Sequence, residues 1–597
     1  MENRDLSRIL NETADLLEIS AADSFRIRSY RRASEAMDST TEHVASLLKA
    51  GETRRVLAIP NIGKGMVANL TEIVETGELG LHRELLAKYH PRMLELLKLP
   101  GCGPKTVALF WETHQIGDID SLEAAARSGK LDTLPRFSKK SVEKLLKGID
   151  DYRKNAGRVL LSTATQNAEQ VCEYFRSLPG VTRVEVAGSL RRGRETIGDV
   201  DILVTGPCCG PDQLAATMER AAQYSGIATL IARGENKISF NRQNGLQVDV
   251  RLLPEESYGA ALQYFTGSKM HNVALRQRAV RMGFTLSEYS LAKLIETEDP
   301  VTKATVRSSG EVVASRTEHE IYAALGLDWI PPELREDNGE IEAAEKHTLP
   351  HLIEMKDIRG DVHMHTEATD GRNTIREMAE AAIAKGYEYI AITDHSKNLA
   401  MTNGLDDARA LAHIKAIRQV DRELEGSIRV LAGIEVDILG DGELDLSNEV
   451  LAQMDVVIGS VHTLFAQPRE EMTARLLRAI ENPNLCILGH LTGRLLLRRE
   501  PYALDLAAVL QTASAAGVVV EHNASPSRLD LCDRDLRAAH KFGCKIAVNT
   551  DAHHTSDMDK MPFGLMQLRR AWLTAADVLN TRPLPEFLAA MRRPAQR

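Results

Sequence analysis

Gly188-Ser189-Leu190-Arg191-Arg192-Gly193-Arg194, running on to Asp199-Val200-Asp201-Ile202-Leu203-Val204, joins a glycine-opened, arginine-rich turn to a strand bearing two acids. Strand side chains alternate between faces, so Asp199 and Asp201, with Val200 between them, project from one face. Two adjacent anions repel unless a cation lies between them. Oxygen-only ligand sets suit magnesium or manganese, above all where a phosphate completes the coordination. A third acid, Asp249, comes from a second alternating run, Gln247-Val248-Asp249-Val250-Arg251. The expectation is a three-carboxylate metal site beside a phosphate-gripping turn.

The chain has 597 residues, which predicts roughly three or four domains. The start, Met-Glu-Asn-Arg-Asp, lacks a basic segment followed by an apolar one. No apolar run approaches the roughly 20 residues that span a bilayer, so a cytoplasmic location is expected. Cys102, Cys172, Cys208, Cys209, Cys486, Cys532 and Cys544 form no CxxC pair, which argues against a disulfide framework or a zinc ribbon. The net charge of −10 is unevenly placed. Residues 1–330 carry 43 basic and 43 acidic side chains, leaving 31 and 41 of the totals of 74 and 84 for the remainder. The front is balanced and its basic residues are free to cluster. The back is acidic, as a carboxylate and histidine metal domain would be.

Residues 1–50 read as helices, with Ile9, Ala14, Leu16 and Leu17 at helical spacing, followed by the basic and aromatic run Phe25-Arg26-Ile27-Arg28-Ser29-Tyr30-Arg31-Arg32. Then Leu57-Ala58-Ile59-Pro60-Asn61-Ile62-Gly63-Lys64-Gly65-Met66-Val67-Ala68 is matched, forty residues on, by Leu97-Lys98-Leu99-Pro100-Gly101-Cys102-Gly103-Pro104-Lys105-Thr106-Val107-Ala108. Each copy reads as a helix end, a tight turn needing positive φ at Asn61 or Gly101, and a new helix. The free N–H groups at that helix start favour an anion. The pair resembles tandem helix-hairpin-helix motifs, which grip DNA phosphates without reading sequence; the resemblance implies DNA contact at Gly63, Gly65, Gly101 and Gly103. Asp132–Lys140 reads as a glycine-free remnant of a third copy.

From about residue 155 strands and helices alternate. Beyond Asp249 comes Tyr264-Phe265-Thr266-Gly267-Ser268-Lys269, with Asn272 and Arg276 on the helix that follows. Together with Gly188-Ser189, Asp199, Asp201 and Asp249, these residues resemble a family X DNA polymerase over about residues 1–328. The resemblance implies that Asp199, Asp201 and Asp249 hold two metal ions and are catalytic. It also implies that Gly188, Ser189 and Arg192 meet the triphosphate, Tyr264, Phe265 and Gly267 the sugar, Asn272 the base edge and Arg276 the template side. Arg26 and Tyr30 match the positions of a 5′-phosphate pocket. One departure stands out: the lysine that removes a 5′ deoxyribose phosphate is replaced by Asn69, and an amide forms no Schiff base.

Pro331-Pro332-Glu333-Leu334-Arg335-Glu336-Asp337-Asn338-Gly339 opens a charged stretch that reads as a linker to residue 355. Beyond it, short apolar strands alternate with helices and end repeatedly in metal-ligand residue types: Asp361-Val362-His363-Met364-His365, Thr393-Asp394-His395, Glu435, His462, His490 and Asp551-Ala552-His553, with Asp370 in a turn. That repeat is how a βα barrel gathers a site at its strand C-termini. The set His363, His365, Asp370, His395, Glu435, His462, His490, Asp551 and His553 resembles the polymerase and histidinol phosphatase (PHP) domain. The resemblance implies a distorted βα (TIM-like) barrel, up to three zinc or manganese ions and phosphoester hydrolysis. Glu435 is the expected bridge between metals. Asp361 and Asp394 are candidate partners for the histidines' other nitrogens, while His413, His522 and His554 fall outside the pattern.

The expected architecture is therefore multidomain. An α-helical N-terminal region with helix-hairpin-helix motifs (1–150) precedes an α/β nucleotidyltransferase palm (151–255), a thumb (256–330), a linker (331–355) and the PHP domain (356–597). The leading functional reading is a repair polymerase adding deoxynucleotides at 3′ ends in short gaps, with magnesium or manganese in the palm and a 3′–5′ exonuclease in the barrel. Its partners are gapped or primer-template DNA with 5′-phosphate ends and deoxynucleoside triphosphates, and no membrane. The alternatives are a DNA-tethered phosphatase resembling histidinol phosphatases and a non-catalytic DNA-end scaffold.

Overall fold

Alternation along Asp199–Thr205 sorts that strand as its sequence implies. Val200, Ile202 and Val204 are fully buried against one face together with Val171, Cys172 and Phe175 of the helix Leu161–Arg176. Leu203 packs on the other face with Ala187, Leu253 and Tyr258. Each such side chain contributes on the order of 1.5–3 kcal/mol, so a slip of one residue, which would exchange the faces, is strongly disfavoured. In a computed structural model the chain describes residues 3–40, 44–59, 61–90, 92–99, 101–134, 137–155, 157–298, 305–399 and 402–591. They fall into two compact units, residues 1–156 and 157–597.

The first unit is helical. The helices Lys64–Thr76 and Pro104–His114 begin at Gly63 and Gly103, and each is preceded by a left-handed residue, Asn61 at φ +66° and Gly101 at φ +83°. Those are the two positions where the repeat required positive φ. Pro60 and Pro100 lie outside the described residues, as do Pro135 and Arg136 of the expected third copy.

In the second unit, a five-stranded sheet runs in the order Arg183–Val186, Asp199–Thr205, Gln247–Leu253, Lys237–Asn241, Thr229–Arg233. Asp199–Thr205 and Gln247–Leu253 are parallel, with Asp201 directly opposite Asp249. After the sheet come the helices Tyr258–Thr266 and Lys269–Arg281 and a three-stranded antiparallel sheet, Phe284–Leu286, Leu291–Glu298 and Thr305–Ala314.

The stretch expected as a linker is not a loose tether. It forms a short helix, Glu340–Glu345, and fully buries Arg335 and Glu340. Arg335 pairs with Glu318 at 2.6 Å, and Glu318 also takes both Arg191 nitrogens at 2.8 and 2.9 Å. Glu340 lies 2.7 Å from the buried His271 ring. Charged, proline-opened composition suggested a linker; buried ion pairing is the reason the stretch packs instead.

Seven parallel strands follow in chain order: Gly360–Asp361, Tyr389–Ile392, Arg429–Asp437, Val456–Ser460, Ile487–Leu488, Val519–Asn523 and Ile546–Asn549. Parallel neighbours demand crossovers, which helices supply. Tyr389, Ala391, Leu431 and Ile458 pack on one side with Phe587 and Met591 of the helix Leu584–Met591; Ile390, Ile392 and Val430 pack on the other with the surrounding helices. The first and last strands approach through a parallel bridge, Met364 to Ala552, and through Asn549 Oδ1, which accepts the Val362 N–H at 3.2 Å. The barrel is thus nearly closed. No helix among the described residues is long and apolar enough to cross a membrane.

Two candidate metal centres

In the palm the three acids converge. Asp199 and Asp201 share a strand face and Asp249 stands opposite Asp201 on the next strand. Burial, then the charges of Asp199 and Asp249, push the Asp201 carboxyl up to about 6. Burial would raise Asp249 as well, but the Lys237 ammonium 2.6 Å away and hydrogen bonds from Ser239 and Gln247 hold it below the usual range. Such a cluster is an electrostatic liability that a divalent cation would relieve. The turn at Gly188 is built tightly against it: φ is +63°, and a Cβ there would meet Asp201 Oδ2 at 2.5 Å.

The other expected palm and thumb contacts are engaged within the protein. Arg192 donates through Nε to Glu336 at 3.1 Å and through Nη1 to the Thr266 carbonyl, beside Gly267. Asn272 donates to the Tyr264 carbonyl at 2.7 Å and accepts from Gln263 at 2.8 Å. Arg276 lies over the Tyr264 ring, 5.9 Å from its centroid, and Tyr264 meets Phe265 edge to face. Ser189 is half-buried in the turn. In the helical unit Arg26 is exposed, whereas the buried Tyr30 hydroxyl accepts the Asn69 amide at 2.8 Å. Gly63, Gly65, Gly101 and Gly103 border open space, where an anion can approach the backbone.

In the barrel all nine predicted residues meet at the C-terminal ends of the strands. The strand carrying the first pair is shorter than expected, ending at Asp361, so His363 and His365 lie on its extension. Glu435 is the hub. One of its oxygens lies 2.9 Å from His395 Nδ1, 3.5 Å from His363 Nε2 and 3.7 Å from His365 Nε2; the other lies 3.0 Å from His490 Nε2 and 3.5 Å from His462 Nε2. Asp551 Oδ1 lies 3.1 Å from His365 Nε2, and Asp370 Oδ2 is 3.5 Å from both His395 Nε2 and His553 Nε2. Three overlapping groups have ligand atoms close enough to share an ion: His365, Asp370, His395 and His553; His363, His365 and Asp551; and His395, Glu435 and His462. His490 joins through Glu435.

The donor set fits metal ions. Buried His363 Nε2, His365 Nδ1, His490 Nδ1 and Glu435 Oε2 have no hydrogen-bond partner, a costly condition unless a cation accepts their lone pairs. Burial, with His553 and His395 nearby, pulls His365 down to about 4, which keeps it neutral and ligand-competent. Burial would lower His395 too, but Glu435 and Asp370 raise it to about 10. Two of the predicted residues, Asp551 at φ +55° and His490 at φ +25°, occupy strained backbone.

The supporting shell differs from expectation. Asp361 accepts from Thr550 and Asp394 from Thr366 and Thr369, with His413 Nε2 2.8 Å from Asp394, so neither orients an imidazole of the predicted set. Glu521 does that for His363, at 2.7 Å from Nδ1, and Asp437 lies 3.3 Å from His462 Nδ1. Glu521 reads as one more buried strand position; only the signature of a charged residue inside an apolar strand, Val519-Val520-Glu521, marked it.

Comparison with known proteins finds relatives for the polymerase-like part and for the barrel. Family models match as a helix-hairpin-helix domain (1–79), a DNA polymerase beta palm (161–234), a DNA polymerase beta thumb (261–336) and a PHP domain (361–525). The DNA polymerase/3′-5′ exonuclease PolX of Bacillus subtilis (strain 168) is 35% identical over 99% of this chain and 100% of its own length. DNA polymerase lambda of Rattus norvegicus is 27% identical over 53% of each chain. A "probable phosphatase" of Thermoanaerobacter sp. (strain X514) is 30% identical over 39% of this chain and 95% of its own length. With the three palm acids on adjacent strands, the nine barrel residues gathered and a full-length relative at that identity, the chain belongs to the bacterial-type family X DNA polymerases that carry a C-terminal PHP domain.

Proposed function

We propose that this chain fills short gaps in DNA by adding deoxynucleotides to 3′ ends at the palm, and trims 3′ ends by phosphoester hydrolysis in the barrel. The observation that carries the reading is the coexistence, in one compact unit, of the Asp199, Asp201 and Asp249 cluster and the nine-residue barrel set. Divalent ions, magnesium or manganese in the palm and zinc or manganese in the barrel, would supply Lewis acidity and lower the pKa of a bound hydroxyl or water.

The protein's own part is positional. Asp201 and Asp249, fixed opposite each other by strand pairing, would hold the palm cations together with Asp199, and Gly188 lets the phosphate turn lie against them. Ser189 and the turn's N–H groups would meet the triphosphate. Arg192 would join them by leaving Glu336, and Asn272 would reach the base edge by leaving Tyr264. Gly63, Gly65, Gly101 and Gly103 would hold backbone phosphates, with Arg26 and Tyr30 toward a 5′ phosphate. In the barrel Glu435 would bridge cations, and Glu521 holds His363 in one orientation. The substrates are DNA and deoxynucleoside triphosphates. The tethered-phosphatase alternative is disfavoured because it leaves the palm cluster without a purpose.

The test offers gapped and 3′-mismatched DNA with and without deoxynucleotides. Asp199→Ala/Asp201→Ala should lose extension and keep trimming; His363→Ala/His365→Ala should do the reverse. Extension surviving the first pair, or manganese-dependent trimming surviving the second, overturns the assignment.

A further inference from the structure

Arg528 stands at the barrel site without belonging to its ligand set. Its Nε is 3.6 Å from Asp551 Oδ2, too far for a hydrogen bond, and its side chain is 19% exposed. Among the described residues it is the one Lys or Arg within 4 Å of a carboxylate of Asp370, Glu435 or Asp551. A second cation, Arg499, is near enough for the Arg528 charge to act on it. A mostly buried guanidinium whose nearest carboxylate stays beyond hydrogen-bond reach is incompletely compensated. An anion arriving at the site would complete that compensation.

The backbone around Arg528 is pinned on both sides. The Ser527 carbonyl accepts the Leu496 N–H at 2.7 Å, and the Asp530 carboxylate accepts the Thr492 N–H and hydroxyl at 3.0 and 2.8 Å. Leu529, at φ +43° and six residues past the strand Val519–Asn523, is fully buried in the palm's hydrophobic core alongside palm residues such as Leu190 and Ile197. Its carbonyl accepts from Arg494, whose guanidinium pairs with Glu195 of the palm turn at 3.2 Å. A preset side chain loses little freedom on binding, and a guanidinium fork matches two phosphate oxygens.

We propose that Arg528 grips the phosphate on which the barrel site acts, the phosphodiester at a DNA 3′ end, and that the palm holds it there through Leu529 and the Glu195–Arg494 pair. This rests on the phosphoesterase reading above. The test is calorimetric titration of inorganic phosphate into manganese-loaded full-length protein carrying Asp199→Ala/Asp201→Ala, which silences the palm, with manganese content measured on the same samples.

Adding Arg528→Met should weaken phosphate binding about ten- to hundredfold, the range for a hydrogen bond to a charged group, with manganese content unchanged. Arg528→Lys should recover part of it. Glu195→Gln, which touches no barrel ligand, should weaken binding at least threefold. Phosphate affinity in Arg528→Met within twofold of the parent, or a parent that binds no phosphate, overturns the contact. An effect of Arg528→Met with none of Glu195→Gln overturns the palm's share. Phosphate binding needs no turnover, so loss of the exonuclease reading would show separately, as wild-type protein that releases no 3′ nucleotides.

Discussion

Replacing Gly188 by alanine tests whether the phosphate turn and the palm acids form one rigid assembly. The added Cβ would stand 2.5 Å from Asp201 Oδ2, where ordinary contact begins at 3.4 Å. The carboxylate must therefore retreat by about 1 Å, or the turn must open by as much, and a displacement of about 1 Å at a reacting centre costs on the order of 100-fold in rate. The backbone adds its own penalty. At φ +63° an L-residue is disfavoured by roughly 1–2 kcal/mol, which should lower the melting temperature by no more than a few degrees. Single-turnover filling of a one-nucleotide gap should thus slow about 100-fold in Gly188→Ala while trimming of a 3′ mismatch continues in the same preparation. A filling rate within about threefold of wild type would refute the reasoning, since Asp201 would then not be held against the turn during catalysis.

Three further outcomes follow from the same geometry. Asp201 is pushed up to about 6 by burial and by its acidic neighbours; a proton there competes with the cation, so metal affinity is complete above that value and lost below it. The manganese concentration for half-maximal extension should rise about tenfold per pH unit below 6, and a flat response between pH 5 and 6 counts against the site. Glu318→Gln strips buried Arg335 of its counter-charge and should destabilise the polymerase half by about 3–5 kcal/mol in denaturant unfolding. The Arg335 and Arg191 charges overcome burial and hold Glu318 well below its ordinary 4.5, so this stability is present above that value and lost as pH falls beneath it. Finally, with Asn69 hydrogen-bonded to Tyr30 at the usual lysine position, borohydride should trap no covalent adduct with 5′ deoxyribose phosphate DNA; a trapped adduct would reveal another amine.

The residues whose roles were legible in the sequence are those governed by short-range rules. Period-two alternation put Asp199 and Asp201 on one face, and the turn chemistry of Asn61 and Gly101 called for the left-handed backbone they adopt. Recurrence of ligand types at strand ends singled out nine barrel residues; eight of them lie in groups close enough to share an ion, and His490 lies beside Glu435. What sequence could not decide is which distant residues become partners. Glu521 lies 158 positions from the His363 it orients, and Arg494 lies 299 from its partner Glu195. The opposition of Asp201 and Asp249 depends on which strands pair, the burial of Arg335 on what packs around a stretch that composition read as a linker, and Leu529 on a barrel loop entering the palm core. Backbone periodicity and φ preferences act within a turn or a strand and are written in neighbouring letters. The desolvation and charge pairing that join distant segments exist only once the chain has closed around them.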